Sequence, residues 1–138
     1  MTPTHHPSYL SLDAPIAIYV RSKSEREQQG RDLLAFARKQ GWRDEQICIY
    51  IQEENEGWHR LIEALRESSF KTILLTDEGS QWTTRFELEL LVRQCKEKSV
   101  LILTPKMIYD CASEVDVLLL LRKYALDEAH HTNKQEAG

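Results

Sequence analysis

Four short apolar runs punctuate the chain: IAIYV (16–20), ICIYI (47–51), TILLT (72–76) and SVLILT (99–104). A strand that is apolar at nearly every position, rather than at every second one, is covered on both faces, and such strands belong to parallel sheets enclosed by helices. The segments between the runs have helical spacing. In 25–40, Leu33, Leu34, Phe36 and Ala37 form a stripe that stops at Gly41, and Trp58, Leu61, Ile62 and Leu65 fall at i, i+3, i+4 and i+7. A third helix, about 85–98, follows the polar stretch DEGSQWTT, where Thr83 or Thr84 is the expected cap. After the fourth strand, PKMIYDCA reads as a connection, and Ser113 with Asp116 three residues on has the pattern of a capping box opening a last helix to about Ala129. The expectation is an α/β three-layer sandwich with a mostly parallel central sheet of four or five strands flanked by helices.

A chain of 138 residues suits one such domain. Residues 1–14, with two prolines, two histidines and no periodicity, are expected to be a flexible arm, 15–129 the domain and 130–138 a disordered tail. No apolar run has the length of a membrane span and no signal-peptide pattern opens the sequence, so a cytoplasmic protein without membrane contact is expected. Cys48, Cys95 and Cys111 are odd in number and widely spaced, which predicts buried, reduced thiols and no metal site. Net charge is −4, with bases mixed among acids, and this weighs against tight autonomous DNA binding, which depends on phosphate neutralisation.

The last helix is apolar round much of its circumference, in VDVLLLLRKYAL. A helix that covers a sheet needs a single apolar stripe. The second face, with Leu118, Leu119, Leu121, Arg122, Tyr124 and Ala125, is therefore expected to pack on another subunit as a homodimer interface. A helix wedged deep in its own fold is the other reading.

Chemistry is suggested by AIYVRSKSERE (17–27), where a strand runs into an arginine and two serines. Tyr19-Val20-Arg21, then QQGRDLLAFARKQGW (28–42), EENEGWHRLIEAL (53–65) and DEGSQWTTRFELELLV (77–92) follow in an order that resembles the catalytic domain of the serine recombinases, the resolvase/invertase family. The similarity spans about residues 16–128 and lies in the sum of the spacings. It implies a resolvase-like sandwich and a serine that attacks a DNA phosphodiester, with arginines stabilising the transition-state charge.

Position by position, Arg21 matches the first arginine of that family. Lys23 stands at the serine position, between Ser22 and Ser24, and Asn55 at the arginine of the second loop. Gly79, Ser80 and Thr83 fall where the family has an aspartate and two arginines. One lost charge-stabilising donor typically costs ~3 kcal/mol in the transition state. The resemblance therefore implies a degenerate site with Arg21, Ser22 and Ser24 as remnants, for which Arg60 or Arg85 would have to supply the missing charge. The sequence also shows no helix-turn-helix, zinc ribbon or basic arm.

The resulting expectation is a stand-alone recombinase-like module, without cofactor, that dimerises and takes a full-length recombinase or a DNA-bound complex as partner. The alternative is a minimal recombinase forming a phosphoserine–DNA link through Ser24 or Ser22. A third reading, a receiver-like signalling domain with Asp77 as phosphoacceptor, lacks the acidic pair that would hold Mg²⁺ after the first strand. The pairs His5-His6 and His130-His131, the cluster Glu53-Glu54-x-Glu56 and Trp82 read as solvated or partly buried surface.

Overall fold

The structure, a computed structural model, describes residues 14–20, 23–51, 57–76, 85–123 and 125, with the backbone alone for 23–29, 51 and 85. Of the expected arm only Ala14 is among them, and 130–138 lies outside them. In chain order the elements are β1 (Ile16–Val20), α1 (Lys23–Gln40), a 3-10 turn (Asp44–Gln46), β2 (Ile47–Ile51), α2 (Gly57–Arg66), β3 (Thr72–Leu74), α3 (Arg85–Lys98), β4 (Leu101–Leu103) and β5 (Ile108–Asp110). A last helix, α4, occupies 114–123.

The strands form one sheet in the order β2-β1-β3-β4-β5. β1 is parallel to β2 and β3, and β3 to β4, whereas β5 is antiparallel to β4. This is the expected sandwich. The difference from the sequence reading lies in PKMIYDCA, which holds the antiparallel edge strand rather than a plain connection. Its Thr104 makes the turn: the hydroxyl accepts from the Lys106 and Met107 amides at 3.3 and 3.0 Å, and the Thr104 amide donates to the Met107 carbonyl at 2.8 Å.

Side chains alternate along β1 and split the core in two. Ile16, Ile18 and Val20 meet Leu33, Ala37 and Trp42, with Leu74 and Leu103, under α1. Ala17 and Tyr19 face the opposite side, where α2 contributes Leu61, Ile62 and Leu65, α3 contributes Leu88, Leu91, Val92 and Cys95, and α4 contributes Leu120. The Trp42 indole closes the first cluster by donating to the Ala14 carbonyl at 3.1 Å.

All three crossover helices end alike. Trp42, Ser69 and Val100 donate their amides back to the Ala37, Ala64 and Cys95 carbonyls at 3.1, 3.0 and 2.9 Å. Each closure passes through a residue of positive φ, namely Gly41 (119°), Ser68 (57°) and Ser99 (56°). These are Schellman caps, which satisfy helix-end carbonyls and turn the chain toward the next strand. Ser113 caps α4, its hydroxyl accepting from the Asp116 amide at 3.3 Å. The reciprocal half of the expected box is replaced: the Asp116 carboxylate accepts from the Asp110 amide at 2.8 Å and so ties α4 to the end of β5.

Candidate functional site

β1 is the point where the winding reverses, since its crossover through α1 leads to β2 on one side and the crossover through α2 returns to β3 on the other. In an open α/β sheet the crevice beyond the carboxyl ends of the strands at such a reversal is the usual ligand site. Val20 pairs in register with Ile51, and Ile18 with Leu74, so the connections after β1, β2 and β3 leave from adjacent strands at one edge of the sheet. With strands about 4.8 Å apart, the three origins lie within roughly 10 Å of one another.

Every catalytic position named from the sequence belongs to one of these three connections or borders it. Arg21 and Ser22 follow β1, Asn55 follows β2, and Gly79, Ser80 and Thr83 follow β3; all six lie outside the described residues, as do Asp77 and Trp82. Lys23 and Ser24 form the first turn of α1, whose backbone begins two residues earlier than the expected Glu25. Serine is well placed there, because first-turn amides have no intrahelical partner and a short hydroxylated side chain suits them. Ser24 thus belongs to a helix start at the crevice and not to a free loop.

Of the two substitute arginines, Arg85 is the first residue of α3 and follows the third connection directly. Arg60 lies exposed on α2. Partial burial pushes the Tyr50 phenol up to about 12, the Cys48 thiol adds to the rise, and the Arg60 charge opposes it. Next to the crevice, Trp58 in the first turn of α2 stands edge-on to Tyr19, with ring centroids 6.0 Å apart. No group of three or more metal-ligating side chains occurs among the described residues.

A shallow cleft of about 160 Å³ opens at the carboxyl end of β4, lined by Phe36, Gln40, Leu103, Lys106 and Met107 among others. Ordinary small-molecule pockets start at about 300 Å³. The Thr104 hydroxyl at its wall is already engaged in the turn, which leaves little to orient a ligand.

The interface residues separate on α4. Val115, Leu118 and Leu119 are 65, 67 and 46% exposed, whereas Leu120 is buried and Val117 and Leu121 pack on the core. Arg122 is exposed, Ala125 half-buried, and Tyr124 outside the described residues. Among the described residues the outward stripe holds Val115 with the expected Leu118, Leu119 and Arg122, while Leu121 turns to the core.

The cysteines also divide. Cys95 and Cys111 are buried as expected, while Cys48 is exposed because β2 is an edge strand. The fold brings Cys95 and Cys111 into one buried cluster, where the neighbouring Cys111 thiol and burial push the Cys95 thiol up. Among the described residues no helix is long and apolar enough to cross a membrane. No family model matches this chain, and no curated protein matches it.

Proposed function

We propose that the protein is a serine-recombinase-like interaction module that dimerises through α4 and lacks strand-exchange chemistry of its own. The observation that carries this reading is the outward stripe of α4. Val115, Leu118 and Leu119 sit at i, i+3 and i+4, and all three remain exposed while the opposite side of the same helix is buried. Exposed apolar side chains gathered on one face mark an interaction surface, unlike the same residues scattered singly.

The stripe suits a second copy. An antiparallel two-fold pairing centred between Leu118 and Leu119 would set position 122 opposite position 115 of the other copy, so that the aliphatic stem of Arg122 would cover Val115 and its guanidinium would approach Glu114. Both Glu114 and Arg122 are exposed. Partners in such a reading are another copy of the chain, or the equivalent helix of a full-length recombinase within a DNA-bound complex. The chemistry is read as lost because Lys23 stands at the serine position, and Asn55, Gly79, Ser80 and Thr83 at those of the charged residues.

Sedimentation over a concentration series tests the interface. A reversible dimer is expected, and Leu118→Glu should give a monomer with unchanged far-UV circular dichroism. A wild-type chain that stays monomeric at high micromolar concentration overturns it. A second reading, the phosphoserine-forming enzyme, is favoured by one observation, the place of Ser24 in the first turn of α1 at the winding reversal. A covalent adduct with supercoiled DNA that Ser24→Ala abolishes would establish that reading; none is expected.

A further inference from the structure

The two edges of the sheet are finished differently. At one edge β5 is three residues long, and its Asp110 amide donates to the Asp116 carboxylate of α4 at 2.8 Å, so a side chain takes a backbone donor there. At the other edge β2 runs for five residues, all in register with β1. Its sequence, ICIYI, holds no charge and no proline, which are common devices for keeping an edge from pairing. Its side chains are open on both faces of the sheet. Cys48, beside Ala17, is exposed on the face of α2, and Ile49, beside Ile18, is 41% exposed on the face of α1. Neither helix layer overhangs the middle of this edge.

We infer that β2 is a second contact between copies of this chain, pairing antiparallel with β2 of another copy about a two-fold axis at Ile49. In the parallel ladder with β1, alternate residues of β2 turn their backbone groups outward. A two-fold axis at Ile49 sets position 47 opposite 51, 48 opposite 50, and 49 opposite itself. Either alternate set, 47, 49 and 51 or 48 and 50, is thereby matched to itself, so outward donors meet outward acceptors along the whole strand. An axis at any other residue would leave part of β2 unpaired. The side chains match as well. Ile49 would lie against Ile49 on the α1 face and Cys48 beside Tyr50 on the α2 face, with no charge to desolvate. Among the described strands, β2 is the one that joins a free edge to side chains open on both faces, which makes it its own best complement.

The contact goes beyond the α4 pairing and lies apart from it, because α4 is tied to β5 at the opposite edge. Two strands of this length cover less than the roughly 1,200 Å² at which stable interfaces begin, so the pairing is transient and appears above the concentrations at which α4 pairs. Together the two contacts would join α4 dimers end to end into open chains.

The test uses the full chain with Leu118→Glu, which disables the α4 stripe and keeps the outcome separate from that reading. Cys48→Ser with Ile49→Cys places a thiol on the axis, where facing Cβ atoms are about 5 Å apart, close to disulfide reach. The chain that keeps Cys48 is the control, since its exposed thiols would be diagonal neighbours about 7 Å apart, beyond that reach. With diamide under native conditions, the thiol at position 49 should give a reducible covalent dimer about tenfold faster than Cys48 does. A non-reduced digest should join two copies of the peptide that holds position 49. At near-millimolar concentration in reductant, sedimentation should show a dimer that Ile49→Lys removes without change in far-UV circular dichroism. Absence of the covalent dimer, equal rates at 48 and 49, or association that survives Ile49→Lys would each overturn the proposal.

Discussion

Among the described residues, α1 covers Ile16, Ile18, Val20, Leu74 and Leu103 on one face of the sheet, whereas on the other α2, α3 and α4 share the cover. Toward the edge strands the cover thins, and Ile47 on β2 and Ile108 on β5 are only partly buried against this cluster. At the edges of its face Ile49 is exposed on β2 and Met107 exposed beside β5, and a buried polar group, Thr72, lies on the same side as Leu74. The three-helix face is covered more fully over its middle strands, although Cys48 on the edge strand β2 stays exposed there, and surplus apolar surface appears on the outside of α4. Cover that is too narrow leaves sheet residues open, and cover that is ample leaves a helix with an unused face.

The largest effect should come from the three-helix face. Leu91 on α3 is fully buried in that cluster, and Leu91→Ala should destabilise by about 3 kcal/mol, from lost transfer energy plus the cavity left behind. Ile49→Ala on the open edge should cost under about 1 kcal/mol, because much of that side chain is already in water. Chemical denaturation of the two variants checks the contrast, and equal losses would break it.

A smaller effect of opposite sign is expected on the α1 face. The Thr72 hydroxyl is buried without a hydrogen-bond partner among the described residues. Thr72→Val keeps the shape, removes the desolvated hydroxyl and favours a strand, so stability should rise by about 1 kcal/mol. A decrease in the denaturation midpoint would show that the hydroxyl has a partner after all.

The helix exits give a still smaller gain. Gly41 accommodates the left-handed turn after α1 freely, while Ser68 and Ser99 adopt the same turn with a Cβ that disfavours it. Ser68→Gly and Ser99→Gly should each stabilise by about 0.5 kcal/mol, the relief of strain being partly offset by the greater freedom of glycine in the unfolded chain. Thermal melts of the single and double variants check both sign and additivity.

How far the sequence reaches follows from which interactions are local. The apolar runs announce β1, β3 and β4 because each is covered on both faces and so carries the signal at nearly every position, whereas β2 carries the same run although Cys48 and Ile49 stay exposed on its edge. β5 was hidden, since IYD at 108–110 is an edge strand set by its hairpin turn and by the reach of Asp116, two contacts that leave no periodicity. Leu120 and Leu121 read as inward or outward equally well in a run of four leucines, and only the angle at which α4 leaves β5 decides between them. That Cys95 and Cys111 share one buried cluster depends on β5 returning beside β4, which no sequence spacing carries. Chain order alone assigns the positions named from the resemblance to connections that leave one edge of the sheet, because successive parallel strands present their carboxyl ends there.

At the border of the two faces the comparison becomes electrostatic. Tyr50 packs from β2 against the three-helix cluster and tilts over Phe70 with centroids 6.4 Å apart, yet β2 is an edge strand and the side chain is only half-buried. Its phenol is pushed up to about 12, chiefly by burial. The folded state therefore keeps this proton over a range in which the unfolded chain, with tyrosine near its usual 10, has lost it. With the folded value above the unfolded one, stability from this group is present below about pH 10 and is lost as pH rises toward 12. At neutral pH, Tyr50→Phe should consequently change stability least of all the substitutions considered, since the ring and its apolar contacts remain. Above pH 10 the variant should lose stability less steeply than the wild type. A series of denaturation midpoints between pH 8 and 11.5, with tyrosinate absorbance followed in parallel, separates the two chains, and identical slopes would mean that the partial cover at this edge does not reach the phenol oxygen.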